Sequence, residues 1–567
     1  MNRLQNELSP YLNRWAEDSI DWYAWGQEPF ERAAQEHKPM RIAIGTTATA
    51  DIHHGAGTVA RLTERYFIPV QVDGEEHPDV AAMYSRAAAL LIGREELPLE
   101  VFTDETGAPF FAAGPLREVE LAGLLSGMAL NRSSTPDVYA RTAEIIKQRL
   151  LHTAGPLPEP KEREILWETH FKQLQSHYDE ANGGFGRGAK QLLPHELLFL
   201  LHYARYTGEQ LPRQMAEHTL YNMALGGIRD HIGGGFFRRT TDSHWLQPVP
   251  EKRLIDQAWM LDVYTRAWQM TGTELFRRVA SETADFVIRE LRHGAGGFYT
   301  AQWSEDGFWL LNDEIVYSTV GQNDGSVFCK QYSIGETPSV PHLYNGEDPQ
   351  EDSVLLHDLR MKLYRKRLER STPQRDDKVQ TGENGIMIAA LARAGRIFGV
   401  ERYLTAAANA EEFLRSRLVS VTDLRRYYCH GAAAGDGVMA DFAGYAMGLL
   451  ALYRCGCGGD YLSHAARVMA RADALFSDRE NGGWFLSRGD TALPMRPRQL
   501  WDKDIPSGWS VALRVLTDLS REIPHPGLRQ RTAQLLEDGT RAARNGSCAY
   551  ALTALFPSET PTNCVRR

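Results

Sequence analysis

The stretch from Asp230 to Asp256 concentrates groups able to move protons and hold anions. Asp230, Asp242, Glu251 and Asp256 supply carboxyls, Arg238, Arg239 and Lys252 supply cations, and Trp245 offers a flat aromatic face. Further on, Asp377, Lys378, Glu383, Asn384, Asp441 and Asp502 are candidates to close the other side of one cavity. General acid–base chemistry requires positioned groups in opposite protonation states. Asp242, Glu251 and Asp256 are therefore the candidate catalytic set. Asp230, Arg239, Trp245, Lys252, Asp377, Lys378, Asn384 and Asp441 are the candidate substrate-binding residues. Each has a plainer reading beside it. Glu251 precedes a helix, where an acid is favourable, and Asp256 is close enough to pair locally. Asp377-Lys378 can be a turn that anchors the next helix, and Trp245 can be a core or rim aromatic.

A second stretch, RIAIGTTATADIHHGAG from Arg41 to Gly57, reads as the end of a buried strand, then small polar residues, two histidines and glycines. It contains no cysteine. All six cysteines, at 329, 429, 455, 457, 548 and 564, lie far downstream. Thiol–disulfide exchange needs a thiolate and a resolving sulfur, so no redox chemistry is expected here. Asp51, His53 and His54, even with His77, are a poor metal set, because adjacent residues of a helix point about 100° apart. No metal and no cofactor are expected. Cys455-Gly456-Cys457 is too closely spaced for an ordinary disulfide and has no second pair at zinc-finger spacing. Reduced, mostly buried thiols and a cytoplasmic location are expected.

The elements that must position these groups fall into two kinds. Up to about Leu150, helical and strand patterns alternate: EPFERAAQEH, the strand MRIAIG, VARLTERYF, the strand IPVQVD, HPDVAAMYSRAAALLIG, the hairpin LPLEVFTDETGAPFF and the helix REVELAGLLSGMAL. A mixed sheet flanked by helices fits this order. Beyond a proline-rich linker, TAGPLPEPKERE, long amphipathic helices come in pairs with almost no strand-like alternation. A glycine–aromatic signature recurs between them, at Gly183-Gly184-Phe185, Gly234-Gly235-Phe236, Gly296-Gly297-Phe298 and Gly482-Gly483-Trp484. Repeated helical hairpins mean either an open solenoid or a closed toroid. The expected division is 1–152, a linker at 153–164, and 165–567.

NELSPYLNRWAEDSIDWYAWGQEPFERAAQEHKPMRIAIG, VDGEEHPDV, LPLEVFTDETGAPFF, GGIRDHIGGGFFRRTTDSHWLQPVPEKRLIDQA, DDKVQTGENGIMIAALARAG and IPSGWSVAL together resemble the spermatogenesis-associated protein 20 family over almost the whole chain. The resemblance implies a thioredoxin-like domain followed by an (α/α)6 barrel of the six-hairpin glycosidase type. The fold class is thus α/β plus all-α. The family's C-H-W-C-H cysteines fall on Thr49 and Ile52, its following histidine on His53, and its cis-proline on Pro98. This is the residue of a thioredoxin site without its nucleophiles.

Barrels of this shape in related groups act on sugars. Glycoside hydrolysis uses two carboxyls, or one acid/base where hydration replaces displacement, and epimerisation needs a base on each face of an acidic carbon. Here the family's histidines are replaced by Phe237 and Val249, its tryptophan by Glu383, an asparagine by Trp509 and an acid by Met447. A two-base mechanism loses its groups. Two readings follow: a carbohydrate-active or carbohydrate-binding barrel with a redox-inactive thioredoxin-like domain, or a pseudoenzyme that binds a protein partner along the thioredoxin-like groove. The net charge of -10 over 567 residues argues against nucleic acid and anionic membrane as partners. No apolar run is long enough to span a bilayer, and the N-terminus does not read as a secretion signal.

Overall fold

The computed structural model describes residues 2–47, 49, 57–134, 136–153, 157, 163–343, 354–420, 423–489, 493–543 and 548–556. They form two compact units. The first comprises Met1–Pro156 with Arg425–Met439 and Leu475–Gln499, and the second comprises Leu157–Leu424, Ala440–Ala474 and Leu500–Arg567.

The first unit is built on a five-stranded sheet of β1 (Tyr23–Ala24), β2 (Met40–Gly45), β3 (Ile68–Asp73), β4 (Leu99–Thr103) and β5 (Pro109–Ala113), in the order β1-β3-β2-β4-β5. β3 runs parallel to β1 and β2, while β4 is antiparallel to β2 and β5. Every residue of β2 and β3 is buried, as befits apolar-rich strands covered on both faces. Helices α1 (Pro10–Asn13), α2 (Gln27–Glu36), α3 (Thr58–Tyr66), α4 (Pro78–Ile92), α5 (Glu118–Ser134) and α6 (Pro136–Thr153) complete the unit. Pro78 opens α4 at its first turn and Gly93 ends it at φ 70°. Each helix, strand and hairpin expected before Leu150 is present; α1, the two-residue β1 and α6 are additions to that expectation.

A charge inside β2 needs an explanation. Arg41 is buried, and its guanidinium meets the equally buried Glu100 of β4 through two hydrogen bonds of 3.0 and 2.8 Å. A third bond to Thr63 (2.9 Å) and the Trp22 ring at 5.1 Å complete its surroundings. A buried ion pair costs little only when its remaining donors are satisfied in this way.

The second unit is helical: α7 (Arg163–His177), α8 (Pro194–Thr207), α9 (Gln210–Leu225), α10 (Leu254–Thr271), α11 (Glu274–Phe286), α12 (Asp313–Val320), α13 (Gln322–Gln331), α14 (Val354–Arg370), α15 (Thr381–Phe398), α16 (Glu401–Arg417), α17 (Met439–Arg454), α18 (Tyr461–Phe476), α19 (Gly508–Glu522), α20 (Pro526–Ala542) and α21 (Ala549–Leu555). Alternate helices pack in succession: α8 on α10, α10 on α15, α15 on α17, α17 on α19, α19 on α21 and α21 on α8. The helices between them, α9, α11, α16 and α20, each lie against the preceding member of that series, and α7 lies against α8 and α21. Contrary to the expectation of almost no strands, β6 (Glu251–Arg253), β7 (Ala301–Trp303) and β8 (Gln374–Asp376) form a small antiparallel sheet. Three-residue strands are too short to show alternation.

The glycine–aromatic turns share one geometry. Asp179, Asp230 and Asp478 each donate a backbone N–H to the second glycine's carbonyl and accept from the first glycine's N–H. Their carboxylates accept two further backbone N–H groups of the turn. A buried cation then neutralises each: Lys190 at 2.8 Å, Lys252 at 2.8 Å and Arg498 at 3.3 Å. Both glycines of these three turns have φ between 70° and 87°, where any other residue is strained. The fourth turn uses His293 in place of the aspartate and forms the same pair of backbone bonds.

Close helix approach yields a paired prediction. A Cβ on Gly385 of α15 would stand 2.3 Å from the Gly444 carbonyl carbon of α17, whereas one on Gly123 of α5 would meet nothing within 4 Å. Gly385→Ala is expected to destabilise by about 1–3 kcal/mol through overpacking. Gly123→Ala is expected to stabilise by about 0.5–1 kcal/mol. Urea unfolding midpoints of the two variants should move in opposite directions.

Candidate functional site

The strand β6 divides the charged segment. Successive side chains of a strand point to opposite faces, so Glu251 and Arg253 share one side and Lys252 faces the other. Two separate ionic systems result.

On the Lys252 side lies the clasp of the second glycine–aromatic turn. Lys252 Nζ donates to Asp230 (2.8 Å) and to the Gly234 carbonyl (2.8 Å), among the rings of Phe286 at 4.5 Å, Phe237 at 5.0 Å and Trp309 at 5.4 Å. Arg367 of α14 adds two bonds to Asp230, at 2.7 and 3.1 Å. Burial acts to raise the Asp230 pKa, and Arg367 and Lys252 overcome it, holding the carboxyl well below the usual range. Burial lowers Lys252 to about 8, against the pull of Asp230. Every lone-pair direction of Asp230 is taken. Asp230 and Lys252, expected to bind substrate, therefore brace a turn.

On the other side acids and bases alternate along one chain of contacts: Glu251, Arg238, Asp504, Arg253 and Asp256. Arg238 reaches Glu251 at 3.1 Å and Asp504 at 3.8 Å. Arg253 reaches Asp504 at 3.0 Å and holds Asp256 bidentately at 2.7 and 2.7 Å. Three carboxyls face two guanidiniums. Glu251 and Asp256 are buried and Arg253 is partly so, while the Arg238 and Asp504 side chains are each 34% exposed and form the open end. Arg253 is the N-cap residue of α10 and Asp256 lies in its first turn, where a negative charge is favourable. Burial raises the Asp256 pKa, with Arg253 opposing. Burial also acts to raise Asp504, but Arg253 and Arg238 hold it down at about 2.

The remaining expected residues are elsewhere. Asp242 accepts the backbone N–H groups of His244 (2.6 Å), Leu246 (3.2 Å) and Gln247 (2.5 Å), and so organises its own loop rather than joining Glu251 and Asp256. Trp245 is 1% exposed and its indole N–H donates to the Asn182 carbonyl (2.9 Å), which leaves no face for a ligand. Arg239 is exposed. Asp377 pairs with Arg375 at 2.5 Å, and buried Lys378 pairs with Asp376 at 3.2 Å. Asn384 is consumed by the Phe298 N–H and carbonyl and the Gln380 carbonyl, at 2.8 to 2.9 Å. Buried Asp441 accepts from the Gly382 N–H at 3.1 Å. Asp502 accepts from the N–H groups of Ser507 (2.8 Å) and Tyr550 (2.9 Å), fixing the start of α21. Asp504, Arg253 and Arg367 have no place in the expected site. A signal for Asp504 is its position directly before Ile505-Pro506-Ser507-Gly508, the start of the IPSGWSVAL block that resembles the family.

In the first unit, the Thr49 hydroxyl donates to the Thr46 carbonyl (2.8 Å) and accepts from the Thr46 N–H (3.0 Å). The Leu97–Pro98 peptide is cis, as the resemblance implies. Ile52 and His53 lie outside the described residues. The carboxyl end of β3 carries buried polar pairs, Ser9 with Asp73 (2.7 Å) and Tyr11 with Gln71 (2.6 Å). Cys329, Cys429, Cys455, Cys457 and Cys548 are free thiols. Among the described residues no cluster of three histidine, cysteine, aspartate or glutamate side chains is arranged to hold a metal, and no helix is long and apolar enough to cross a membrane.

A thioredoxin-like sheet at the N-terminus and a large helical unit with a charged network ahead of α10 and α19 define the class. The model Thioredox_DsbH, described as a protein of unknown function, DUF255, matches residues 1–149. Spermatogenesis-associated protein 20 of Rattus norvegicus is 30% identical, over 91% of this chain and 75% of its own length. The Homo sapiens protein of the same name is 29% identical over 91% and 76%, and an uncharacterized protein of Caenorhabditis elegans 26% over 92% and 81%. The chain belongs to the spermatogenesis-associated protein 20 family. Among solved structures it is similar to a D-mannose isomerase (12% identity, 66% of this chain and 85% of that one, TM-score 0.45) and to the cellobiose 2-epimerase of Spirochaeta thermophila (15%, 67% and 83%, TM-score 0.45). It is also similar to a GH76 α-mannanase of Bacteroides thetaiotaomicron (9%, 69% and 95%, TM-score 0.45).

Two predictions follow from the charge systems. Asp230→Asn leaves Lys252 and Arg367 buried without a counter-charge and is expected to cost about 3–5 kcal/mol in thermal or urea unfolding. Asp504, at about 2 in the folded chain, lies below the ordinary aspartate value of about 3.9. A lowered acid contributes stability that is complete above its unfolded pKa and is lost as pH falls through the folded one. The melting temperature of Asp504→Asn should therefore fall less steeply than that of the wild type between about pH 4 and pH 2.

Proposed function

We propose that the second unit is an (α/α)6 barrel that binds, and is equipped to act on, a carbohydrate at the Glu251–Arg238–Asp504–Arg253–Asp256 network. The succession of α8, α10, α15, α17, α19 and α21, which returns to α8, supports the barrel. The observation that carries the site is its open end, where Arg238 and Asp504 are each 34% exposed and three carboxyls face two guanidiniums. In this reading Asp504, at the open end of the network, is the standing carboxylate, and Asp256, both of whose oxygens accept from Arg253, fixes that guanidinium. Arg238, half in solvent, orients hydroxyls by its planar fork of donors. The sugar class itself rests on the family resemblance. The thioredoxin-like domain takes no part in thiol exchange, because residues 1–149 contain no cysteine.

The test is a thermal-shift screen of the full chain against mono- and oligosaccharides, with Glu251→Gln and Asp504→Asn alongside. A sugar at a hundred times its dissociation constant should stabilise by about 2.7 kcal/mol, a rise of a few degrees. The shift should shrink in both variants, and an assay for turnover should then find Asp256→Asn inactive. No shift with any sugar, in variants that melt normally, overturns the reading.

A further inference from the structure

Well away from the Glu251–Asp504 network along α10 and α19, the second unit contains a cavity of about 190 Å³ between helices that follow one another in the packing series. Its walls carry Arg266 of α10, Arg393 and Arg396 of α15, Arg454 of α17, Arg514 of α19 and Tyr550 of α21. Asp518 is the one carboxylate among its lining residues.

The balance of charge at this place is uneven. Asp518 accepts from Arg454 (3.0 Å), Arg521 (3.3 Å) and Arg514 (3.4 Å). Behind the wall, Asp262 serves both Arg266 (2.8 Å) and Arg393, and Glu522 takes a second bond from Arg454 (3.1 Å). Arg396 has no carboxylate partner among the described residues. Arg396 is therefore a guanidinium beyond those that Asp518, Asp262 and Glu522 serve. Helix C-termini favour cations, but that field falls off within the last turn. It reaches Arg396 and Arg454, near the ends of α15 and α17, and not Arg266, Arg393 or Arg514, which lie further back.

An arrangement of this kind fits a small anion better than a neutral molecule. Guanidinium donors form bidentate bonds with phosphate and carboxylate oxygens. A dianion with three oxygens can meet forks arriving from several helices and comes close to the unopposed charge. The Tyr550 hydroxyl makes no bond to another described residue, and burial with its neighbours pushes its pKa up to about 12, so it remains a neutral donor. The volume lies below the range of about 300–1,000 Å³ typical of drug-sized ligands, so the anion has few atoms beyond its charged group.

We propose that this cavity is a binding site for a small phosphate, inorganic phosphate or a short phosphate monoester, held by Arg393, Arg396 and Arg514 with the Tyr550 hydroxyl.

The experiment is calorimetric titration of the full chain with inorganic phosphate and with glycerol 3-phosphate, against glycerol and sodium chloride at matched ionic strength. One saturable site is expected for a phosphate, with none for glycerol or chloride. Tighter binding of inorganic phosphate than of the ester assigns the free ion, and the reverse assigns a monoester. Arg396→Gln breaks no ion pair, so its fold should be unchanged, and it should bind at least ten-fold more weakly. Arg393→Gln, which leaves Asp262 its Arg266 partner, should do the same. Absence of a saturable site, its reproduction by chloride, or unchanged affinity in both variants overturns the proposal.

Discussion

A carboxylate can be taken out of water only where cations and N–H groups replace its hydration, and this chain uses that constraint to build its turns. Asp179, Asp230 and Asp478 each close a ring of backbone bonds around two left-handed glycines and then accept from a basic side chain. The aspartate sets the chain reversal, the glycines make it sterically possible, and the aromatic after them is bridged back to the strand-like residue preceding the aspartate. Helices on either side start and stop where these clasps place them. The unit cost of such a turn is high if any member is missing, since a buried charge without its partner loses several times what a surface pair contributes.

The same constraint shapes the candidate site. Strand alternation at Glu251-Lys252-Arg253 sends one cation to a clasp and the flanking pair to an open network. Lys252 is thereby committed to structure, while Glu251, Arg253 and Asp256 gain a solvent-facing end through Arg238 and Asp504. The network is incompletely neutralised, with three carboxyls facing two guanidiniums. In the Arg-rich cavity Arg396 stands outside the ion pairs that Asp518, Asp262 and Glu522 make. Both proposed sites rest on charge that structural pairing leaves over.

In the first unit the thioredoxin-like frame stands without its chemistry. Arg41 and Glu100 pair across β2 and β4 in the middle of the sheet, and the cis peptide before Pro98 is kept. Thr49, where the resemblance puts the first cysteine, turns its hydroxyl back on Thr46. The scaffold therefore owes its stability to the sheet and its buried pairs, and nothing in those pairs requires a thiol.

Periodicity and composition by themselves determined the succession of elements. The short apolar-rich segments MRIAIG and IPVQVD read as central strands, and stretches of fifteen or more residues such as α10 and α15 read as helices, although the fold buries most side chains of those two rather than one face. The absence of cysteine before Cys329 likewise bounded the chemistry of the N-terminal domain with no structure needed. Which polar groups meet was decided by tertiary structure alone. Asp230 finds Arg367, 137 positions away, and Arg253 finds Asp504, 251 positions away. No local pattern encodes such partners, because a side chain's polarity is visible in sequence while the satisfaction of its hydrogen bonds is not. Asp242, Trp245 and Asn384 read as ligands for this reason, and the fold spends each of them on the backbone of its own neighbourhood. Asp504 was passed over for the converse reason: its importance lies in two arginines that only the packing of helices brings to it.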